Sequence, residues 1–349
     1  MRGCPDSIVV GALLLGTCVL GACGGVDRST TTASMQSTSQ TPGPDASPFP
    51  RGESLHAIEV GGVPRSYLVY LPIGVSEPRA VVFVLHGGGG DGLDVADVGR
   101  SPLSVFRSVA DREGFVVVYP EGRPAADRQG LVGWTDCRAD NSAASGADDV
   151  EFLASLIRTV GNAYELPSDS VFMAGSSNGA QMSQAFAFHH PEMIGAVASN
   201  AGSLPRDPVP GPCTTGPSHP VPILLVHGTA DPLMPFDGGC VADLGGACNR
   251  GRVLSAEDTR DRWLDINGLE GATPSETIVD IEQSDGGTAH RFVYDGPTSV
   301  EWWRLDGSGH AAPSRSVVVE TSRLAGVQNR DIEFAEVAWL FFERQLSRS

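Results

Sequence analysis

Short apolar runs alternate with amphipathic segments over most of the chain. Continuous apolar runs predict strands buried on both faces, and apolar residues three or four positions apart predict helices. The predicted strands are 65–71, 80–85, 115–119, 171–174, 194–199, 223–226 and 300–305, with a hairpin formed by 276–283 and 289–294. The predicted helices are 102–112, 148–164, 179–189, 256–267 and 331–344. Because the two kinds of element alternate, the sequence predicts an α/β fold, a mostly parallel, doubly wound sheet with helices on both faces.

The head of the chain has a different pattern. Residues 8–22 form one apolar run, too short for a comfortable transmembrane helix, which predicts the core of a secretion signal. The run ends in Leu-Gly-Ala before Cys23, and small residues before a cysteine are typical of the lipobox of bacterial lipoproteins. We therefore expect Cys23 to be lipidated. A plain signal peptide or an uncleaved anchor would leave Cys23 unmodified, and Cys18 fits a lipobox less well because a threonine precedes it.

A polar segment separates this head from the first predicted strand. Residues 27–50 are rich in Ser, Thr, Pro and Gln, and such a segment has too little to bury to offset its ordering entropy. The predicted organisation is a signal peptide at 1–22, lipidated Cys23 with a disordered tether over 23–52, and one folded domain over 53–349. The expected location is extracytoplasmic, on the membrane through the lipid anchor, or secreted if Cys23 is not lipidated.

Charge and cysteine content narrow the picture further. The formal net charge is −18, and the basic residues are scattered arginines without a basic run, which argues against nucleic-acid binding. Four cysteines lie beyond the head, an even number that predicts two disulfides in an exported protein. Cys240 and Cys248 would close a small glycine-rich loop, and Cys137 with Cys213 follows by elimination. A zinc site is the alternative, but no close Cys/His spacing supports it, so no metal is expected.

The strongest chemical motif is the pentapeptide 175–179, Gly-Ser-Ser-Asn-Gly, between a predicted strand and a predicted helix. In the G-x-S-x-G pattern the serine occupies a sharp strand-to-helix turn, and the flanking glycines let the backbone pass closely. Only Ser177 has glycines two positions before and after it, so Ser177 is the predicted nucleophile and Ser176 the reserve. The alternative is a chance match in a glycine-rich protein.

A serine hydroxyl needs a base and an acid that orients the base. Asp231 follows the predicted strand 223–226, and His310 follows the predicted strand 300–305. Both therefore lie at carboxyl ends of strands, where doubly wound sheets bind ligands. The alternatives are a turn residue for Asp231 and a surface histidine for His310. His227 is interpreted as a strand-end residue bonded to backbone.

Donors for an oxyanion are predicted in two places. The segment 86–90, His-Gly-Gly-Gly-Gly, follows a buried strand, so the backbone N–H of Gly88 or Gly89 is one expected donor. The N–H of Asn178, directly after the nucleophile, is the other. A glycine-rich loop that cradles phosphate is the alternative, but no Gly-Lys-Ser/Thr follows it. No cofactor is expected.

Together these motifs resemble the poly(3-hydroxybutyrate) depolymerase-like and feruloyl-esterase-like hydrolases, which include LpqC-type lipoprotein esterases and relatives in carbohydrate esterase family one. The resemblance covers about 55–315. Its anchors are 85–92, 133–134, 148–152, 175–180, 227–232 and 309–313. It implies the α/β-hydrolase fold and an exported serine esterase for short acyl, hydroxyalkanoate or feruloyl/acetyl-polysaccharide esters. Ser177, Asp231 and His310 would be its triad.

The resemblance also suggests roles for residues outside the triad. Trp134 would line the acyl or alcohol pocket, or else be a packed loop aromatic. Asp148 and Asp149 match an Asp-Asp pair before a helix and are interpreted as capping residues. Ala312 stands where many relatives have a tryptophan, so the family's substrate preference does not transfer directly. Two rival functions remain, a peptidase on the same fold and a catalytically silent surface protein that binds a partner.

Overall fold

The computed structural model describes residues 47–125, 131–141, 146–241, 248–319 and 325–347. They belong to a unit that extends from Ser47 to Ser349. The predicted signal peptide, Cys23 and the tether as far as residue 46 lie outside the described residues. Within the described part of the chain, no helix has both the length and the apolar character needed to cross a membrane.

The strands and helices follow the alternation expected from the sequence. The strands are β1 (Gly52–Val60), β2 (Val63–Leu71), β3 (Val81–Leu85), β4 (Val116–Pro120), β5 (Arg123–Pro124), β6 (Val132–Gly133), β7 (Val171–Ser176), β8 (Ala196–Asn200), β9 (Ile223–Gly228), β10 (Gly239–Cys240), β11 (Arg252–Val253), β12 (Ser275–Val279), β13 (Thr288–Tyr294) and β14 (Val300–Asp306). The helices are α1 (Gly92–Ala96), α2 (Val105–Glu113), α3 (Asp149–Ala163), α4 (Asn178–His189), α5 (Pro212–Thr215), α6 (Ala256–Ile266) and α7 (Phe334–Leu346).

Ten of these strands form one sheet in the order β1-β2-β4-β3-β7-β8-β9-β14-β13-β12. The six central strands, from β4 to β14, pair in parallel. The two strands at each end pair antiparallel, and the predicted hairpin supplies β12 and β13 at one end. The mostly parallel sheet predicted from the sequence is therefore confirmed. Its consequence for function is that the carboxyl ends of β3, β7, β9 and β14 meet along one edge.

The core lies in two layers, one on each face of the sheet. Along β3, Val81, Phe83 and Leu85 pack on one face with apolar residues of α3, α4 and α6. Val82 and Val84 pack on the other face with residues of α2 and α7. Every β3 side chain is buried, which explains why this strand is a continuous apolar run in the sequence.

The first strand, β1, was not predicted from the sequence. It pairs with β2 from Gly52 opposite Leu71 to Val60 opposite Val63. Its residues alternate between half-buried and exposed, but Ser54 and His56 lie among the half-buried ones and Leu55 among the exposed ones. Because β1 is an edge strand, its apolar and polar residues are not segregated cleanly enough to give a strand signal.

Candidate active site

Ser177 lies at a sharp turn between β7 and α4. Its backbone has φ 57° and ψ −123°, a strained conformation for a residue with a side chain. A Cβ added to Gly175 would lie 2.5 Å from the backbone of Gly179, and one added to Gly179 would lie 2.4 Å from the carbonyl oxygens of Leu85 and His86. Both glycines are therefore required by close backbone approach, as expected for a nucleophile elbow.

The neighbouring serine is held differently. The Ser176 hydroxyl accepts a 2.9 Å hydrogen bond from the side-chain amide of Asn200. The backbone N–H of Ser177 donates to the Asn200 carbonyl at 2.8 Å, which fixes the turn from the adjacent strand. Both serines line the same cavity, but only Ser177 stands on the turn itself.

Asp231 and His310 meet although 79 positions separate them in the chain. Asp231 follows β9 and His310 follows β14, which are parallel neighbours in the sheet. The Nδ1 atom of His310 lies 2.7 Å from the Oδ2 atom of Asp231. The two chain segments can approach only because Gly228 has no side chain, since a Cβ there would lie 2.3 Å from the carbonyl oxygen of Ser308.

The Asp231 carboxylate is buried, and both of its oxygens accept hydrogen bonds. Its Oδ1 atom accepts hydrogen bonds from the N–H groups of Leu233 at 2.8 Å and Met234 at 2.9 Å. Burial alone would raise the pKa of Asp231, but the hydrogen bond and charge of His310 and the hydrogen bond from the Met234 N–H bring that pKa below its usual value. Asp231 is therefore an anion that faces His310.

His227 is a buried strand-end residue, as interpreted from the sequence. Its Nε2 atom lies 2.8 Å from the Met234 carbonyl oxygen and 3.7 Å from Asp231 Oδ2. Burial lowers the pKa of His227, so the ring is neutral and its Nε2–H donates to the carbonyl.

Ser177 and His310 line one cavity of about 250 Å³. The wall residues include parts of the glycine loop (residues 86–90), the start of α4 and the segment after Asp231. The apolar side chains are Leu131, Val132, Leu233, Met234, Val241 and Ala311. Arg138 also lines the cavity, but its guanidinium binds both oxygens of the buried Asp136 carboxylate. The charge of Arg138 is thus neutralised inside the protein.

The structure narrows the predicted oxyanion donors. The N–H of Gly89 donates to the Val132 carbonyl at 2.7 Å, so it is not available to an oxyanion. Of the two predicted glycine donors, Gly88 remains. The N–H groups of Gly88 and Asn178 have no hydrogen-bond acceptor within the described segments. A Cβ added to Gly88 would lie 3.6 Å from Cβ of Asn178, so the two residues face each other beside the cavity.

His86 fixes the glycine loop from below. Its Nε2 atom accepts from the Gly122 N–H at 3.0 Å, so the proton is on Nδ1, which lies 2.8 Å from the Gly87 carbonyl oxygen. Burial lowers the pKa of His86 to about 4, and the imidazole is therefore neutral near pH 7. The Gly87 carbonyl belongs to the peptide that carries the Gly88 N–H, so this bond orients the predicted donor.

The prediction that Trp134 lines the pocket is wrong. The side chain of Trp134 is fully buried and is absent from the cavity wall, where its neighbours Val132 and Gly133 lie instead. The indole Nε1–H donates to the His86 carbonyl at 2.9 Å, which draws the ring inward beneath the glycine loop. The packed aromatic weighed as the alternative is what the structure contains.

Asp148 and Asp149 have different structural roles. Asp148 caps α3 by accepting from the Glu151 N–H at 2.9 Å. Asp149 is buried in an ion pair with Arg65 at 2.7 Å and also accepts from the Thr135 N–H at 2.7 Å. Asp149 thus ties the segment around Trp134 to β2 rather than only complementing a helix end.

Both expected disulfides are present, Cys137–Cys213 and Cys240–Cys248. His189 Nε2 lies 3.5 Å from Cys213 Sγ, and the three side chains of Cys137, Cys213 and His189 are close enough to hold an ion. With both sulfurs bonded to each other, they are not thiolate ligands. Within the described residues, Cys137, His189 and Cys213 are the His, Cys, Asp or Glu side chains whose spacing would suit a metal ion.

Comparison with known proteins agrees with this fold. The solved structure of acetyl xylan esterase from Aspergillus awamori aligns with a TM-score of 0.51 at 17% identity, over 75% of this chain and 95% of that one. The chain therefore has the α/β-hydrolase fold. The family model described as esterase PHB depolymerase matches residues 65–207, so the resemblance expected from the motifs is confirmed.

Two curated relatives extend the similarity. "Putative esterase NocK" from Nocardia uniformis subsp. tsuyamanensis is 33% identical over 190 residues, 52% of this chain and 49% of that protein. Feruloyl esterase C from Emericella nidulans is 29% identical over 178 residues, 50% of this chain and 58% of that protein. The chain thus spans about half the length of these relatives.

Proposed function

We propose that this α/β-hydrolase cleaves carboxylic esters through an acyl-enzyme on Ser177, with His310 as base and Asp231 as its orienting acid. The observation that carries the proposal is the 2.7 Å contact between His310 and Asp231 beside a cavity that Ser177 also lines. The strained turn at Ser177 supports it, because such strain is maintained where it holds a reactive group in place.

The chemistry follows from these contacts. The ionised Asp231 accepts the Nδ1–H of His310, which leaves Nε2 as the base that takes the Ser177 proton. The serine oxygen then attacks the ester carbonyl, and His310 returns the proton to the departing alcohol. Water hydrolyses the acyl-enzyme by the same route. The negative carbonyl oxygen is stabilised by the N–H groups of Gly88 and Asn178 and by the positive end of α4.

The proposed substrate is a carboxylic ester of short acyl, hydroxyalkanoate or acetyl- or feruloyl-polysaccharide type. The cavity of about 250 Å³ is below the range of pockets that enclose drug-sized ligands, which favours a small group inside it. Its walls are largely apolar. Ala312, which is buried, leaves no aromatic ring two residues after His310.

We also propose that the protein is exported and held at the membrane by a lipid on Cys23. Two disulfides in the folded unit support export, because disulfides persist in oxidising compartments. In membrane fractions of cells that produce the protein, Cys23→Ala should shift it to the soluble fraction. Unchanged membrane retention would contradict lipidation.

The test of the activity uses p-nitrophenyl acetate and a matched pair of variants. Ser177→Ala should abolish hydrolysis, whereas Ser176→Ala should keep a large share of it. Methyl ferulate, acetylated xylan, hydroxybutyrate oligomers and a peptide amide then define the substrate. Cleavage of the amide in preference to every ester would favour a peptidase, and no turnover of any substrate by the wild type would favour a binding protein.

A further inference from the structure

Trp134 occupies a position between the two halves of the proposed oxyanion hole. It follows β6, its side chain is fully buried, and it makes hydrogen bonds in two directions. One direction leads to Asn178 at the start of α4, and the other leads to His86 at the end of β3. The triad does not account for this arrangement.

The backbone of Trp134 holds the side chain of Asn178. The Trp134 N–H donates to Asn178 Oδ1 at 2.7 Å, and Asn178 Nδ2 donates back to the Trp134 carbonyl at 3.2 Å. The same Nδ2 donates to the Asp136 carboxylate at 2.7 Å. Asn178 is the first residue of α4, so fixing its side chain also fixes the orientation of its own backbone N–H.

The indole of Trp134 holds the glycine loop. The indole Nε1–H of Trp134 donates to the His86 carbonyl at 2.9 Å, and the two rings pack with centroids 4.9 Å apart. His86 in turn holds the Gly87 carbonyl, whose peptide carries the Gly88 N–H. One residue therefore links the supports of both donors, through its backbone on the Asn178 side and through its indole on the His86 side.

The segment around Trp134 is itself rigidly attached. The next residue, Thr135, donates its N–H to Asp149, which is paired with Arg65 in the protein interior. Three positions after Trp134, the disulfide between Cys137 and Cys213 ties the segment to α5. A rigid attachment is what a residue needs if it is to hold two other groups at a fixed separation.

We propose that Trp134 is a positioning residue that sets the separation and orientation of the Gly88 and Asn178 N–H groups. It acts through these groups and does not touch substrate, since it lies outside the cavity wall. The proposal rests on the proposed esterase activity. Its consequence is that loss of the indole N–H weakens binding of the tetrahedral intermediate while leaving substrate binding intact.

The test compares Trp134→Phe with Trp263→Phe. Trp263 is a matched control because it is also fully buried and its indole N–H also makes one hydrogen bond, at 2.8 Å to Gln184. For p-nitrophenyl acetate, Trp134→Phe should lower kcat about tenfold with KM within about twofold, the effect of one lost positioning hydrogen bond. Trp263→Phe should change neither constant by more than about twofold.

A second measurement separates positioning from a structural effect. A trifluoromethyl ketone adds to the serine oxygen and places an oxyanion in the hole, so its inhibition constant should weaken in Trp134→Phe by the same factor as kcat. Asn178→Ala, which keeps the donor N–H but removes its clamp, should show the same pattern and serves if Trp134→Phe does not fold. The proposal is overturned if a folded variant keeps the wild-type kcat and inhibition constant. Loss of the proposed function would instead appear as an inactive wild type.

Discussion

Gly179→Ala perturbs the close approach on which the elbow at Ser177 depends. Gly179 is the second residue of α4, where alanine is normally the better helix former. In this structure, however, the added methyl group would lie 2.4 Å from the carbonyl oxygens of Leu85 and His86. Both obstacles are backbone atoms of the β3 end, so no side chain can rotate away to make room.

The size of the effect follows from that distance. Ordinary contact begins at 3.4 Å, so α4 and the β3 end must separate by about 1 Å. Overpacking of this kind costs about 1–3 kcal/mol of unfolding free energy. A displacement of about 1 Å between the nucleophile and its oxyanion donors lowers kcat/KM about 100-fold.

Gly161→Ala is the matched control. Gly161 is also helical, in α3, and a Cβ there meets nothing within 4 Å. Alanine should therefore raise the unfolding free energy by about 0.5–1 kcal/mol and leave hydrolysis unchanged. The assay is urea unfolding together with kcat/KM for p-nitrophenyl acetate. If Gly179→Ala matched Gly161→Ala in both measurements, the close approach would not exist and the reasoning would be refuted.

Two further predictions concern stability. Burial lowers the pKa of His86 from 6.5 to about 4, so protonation favours the unfolded chain. The unfolding free energy that this difference contributes is fully present above pH 6.5. It is lost as the pH falls to 4, by about 3 kcal/mol in all. Urea unfolding at pH 7 and pH 4.5 should show a smaller loss in His86→Gln; an equal loss would contradict the burial argument. The Cys137–Cys213 disulfide closes a separation of 76 residues and the Cys240–Cys248 disulfide one of 8. In the loop-entropy picture, replacing the first pair by serine costs about 4.5 kcal/mol and the second about 2.6 kcal/mol. A larger loss for the second pair would contradict this order.

The sequence is most informative where backbone geometry restricts the residue type. The buried central strands are visible as continuous apolar runs, and the glycines around Ser177 mark a turn that other residues cannot form. Asp231 and His310 could be paired because parallel strands bring their carboxyl ends to one edge. In these places a local pattern and a global rule point to the same position.

Other features depend on contacts that no local pattern encodes. Trp134 has the same sequence signal whether it lines a cavity or lies beneath one, and only the fold brings its indole to the His86 carbonyl. Asp136 was not singled out because its partners, Arg138 and Asn178, converge on it only after folding. Gly89 could not be separated from Gly88 because its bond to Val132 joins the loop to β6, which lies far along the chain.

The most direct test of the account is to map the serine that reacts. The protein, treated with a fluorophosphonate probe and digested, should show the phosphonyl group on Ser177 by mass spectrometry, because only Ser177 occupies the strained turn beside the His310 cavity. His310→Ala should lose most of this labelling. A label on Ser176 instead, or equal labelling with and without His310, would contradict the account.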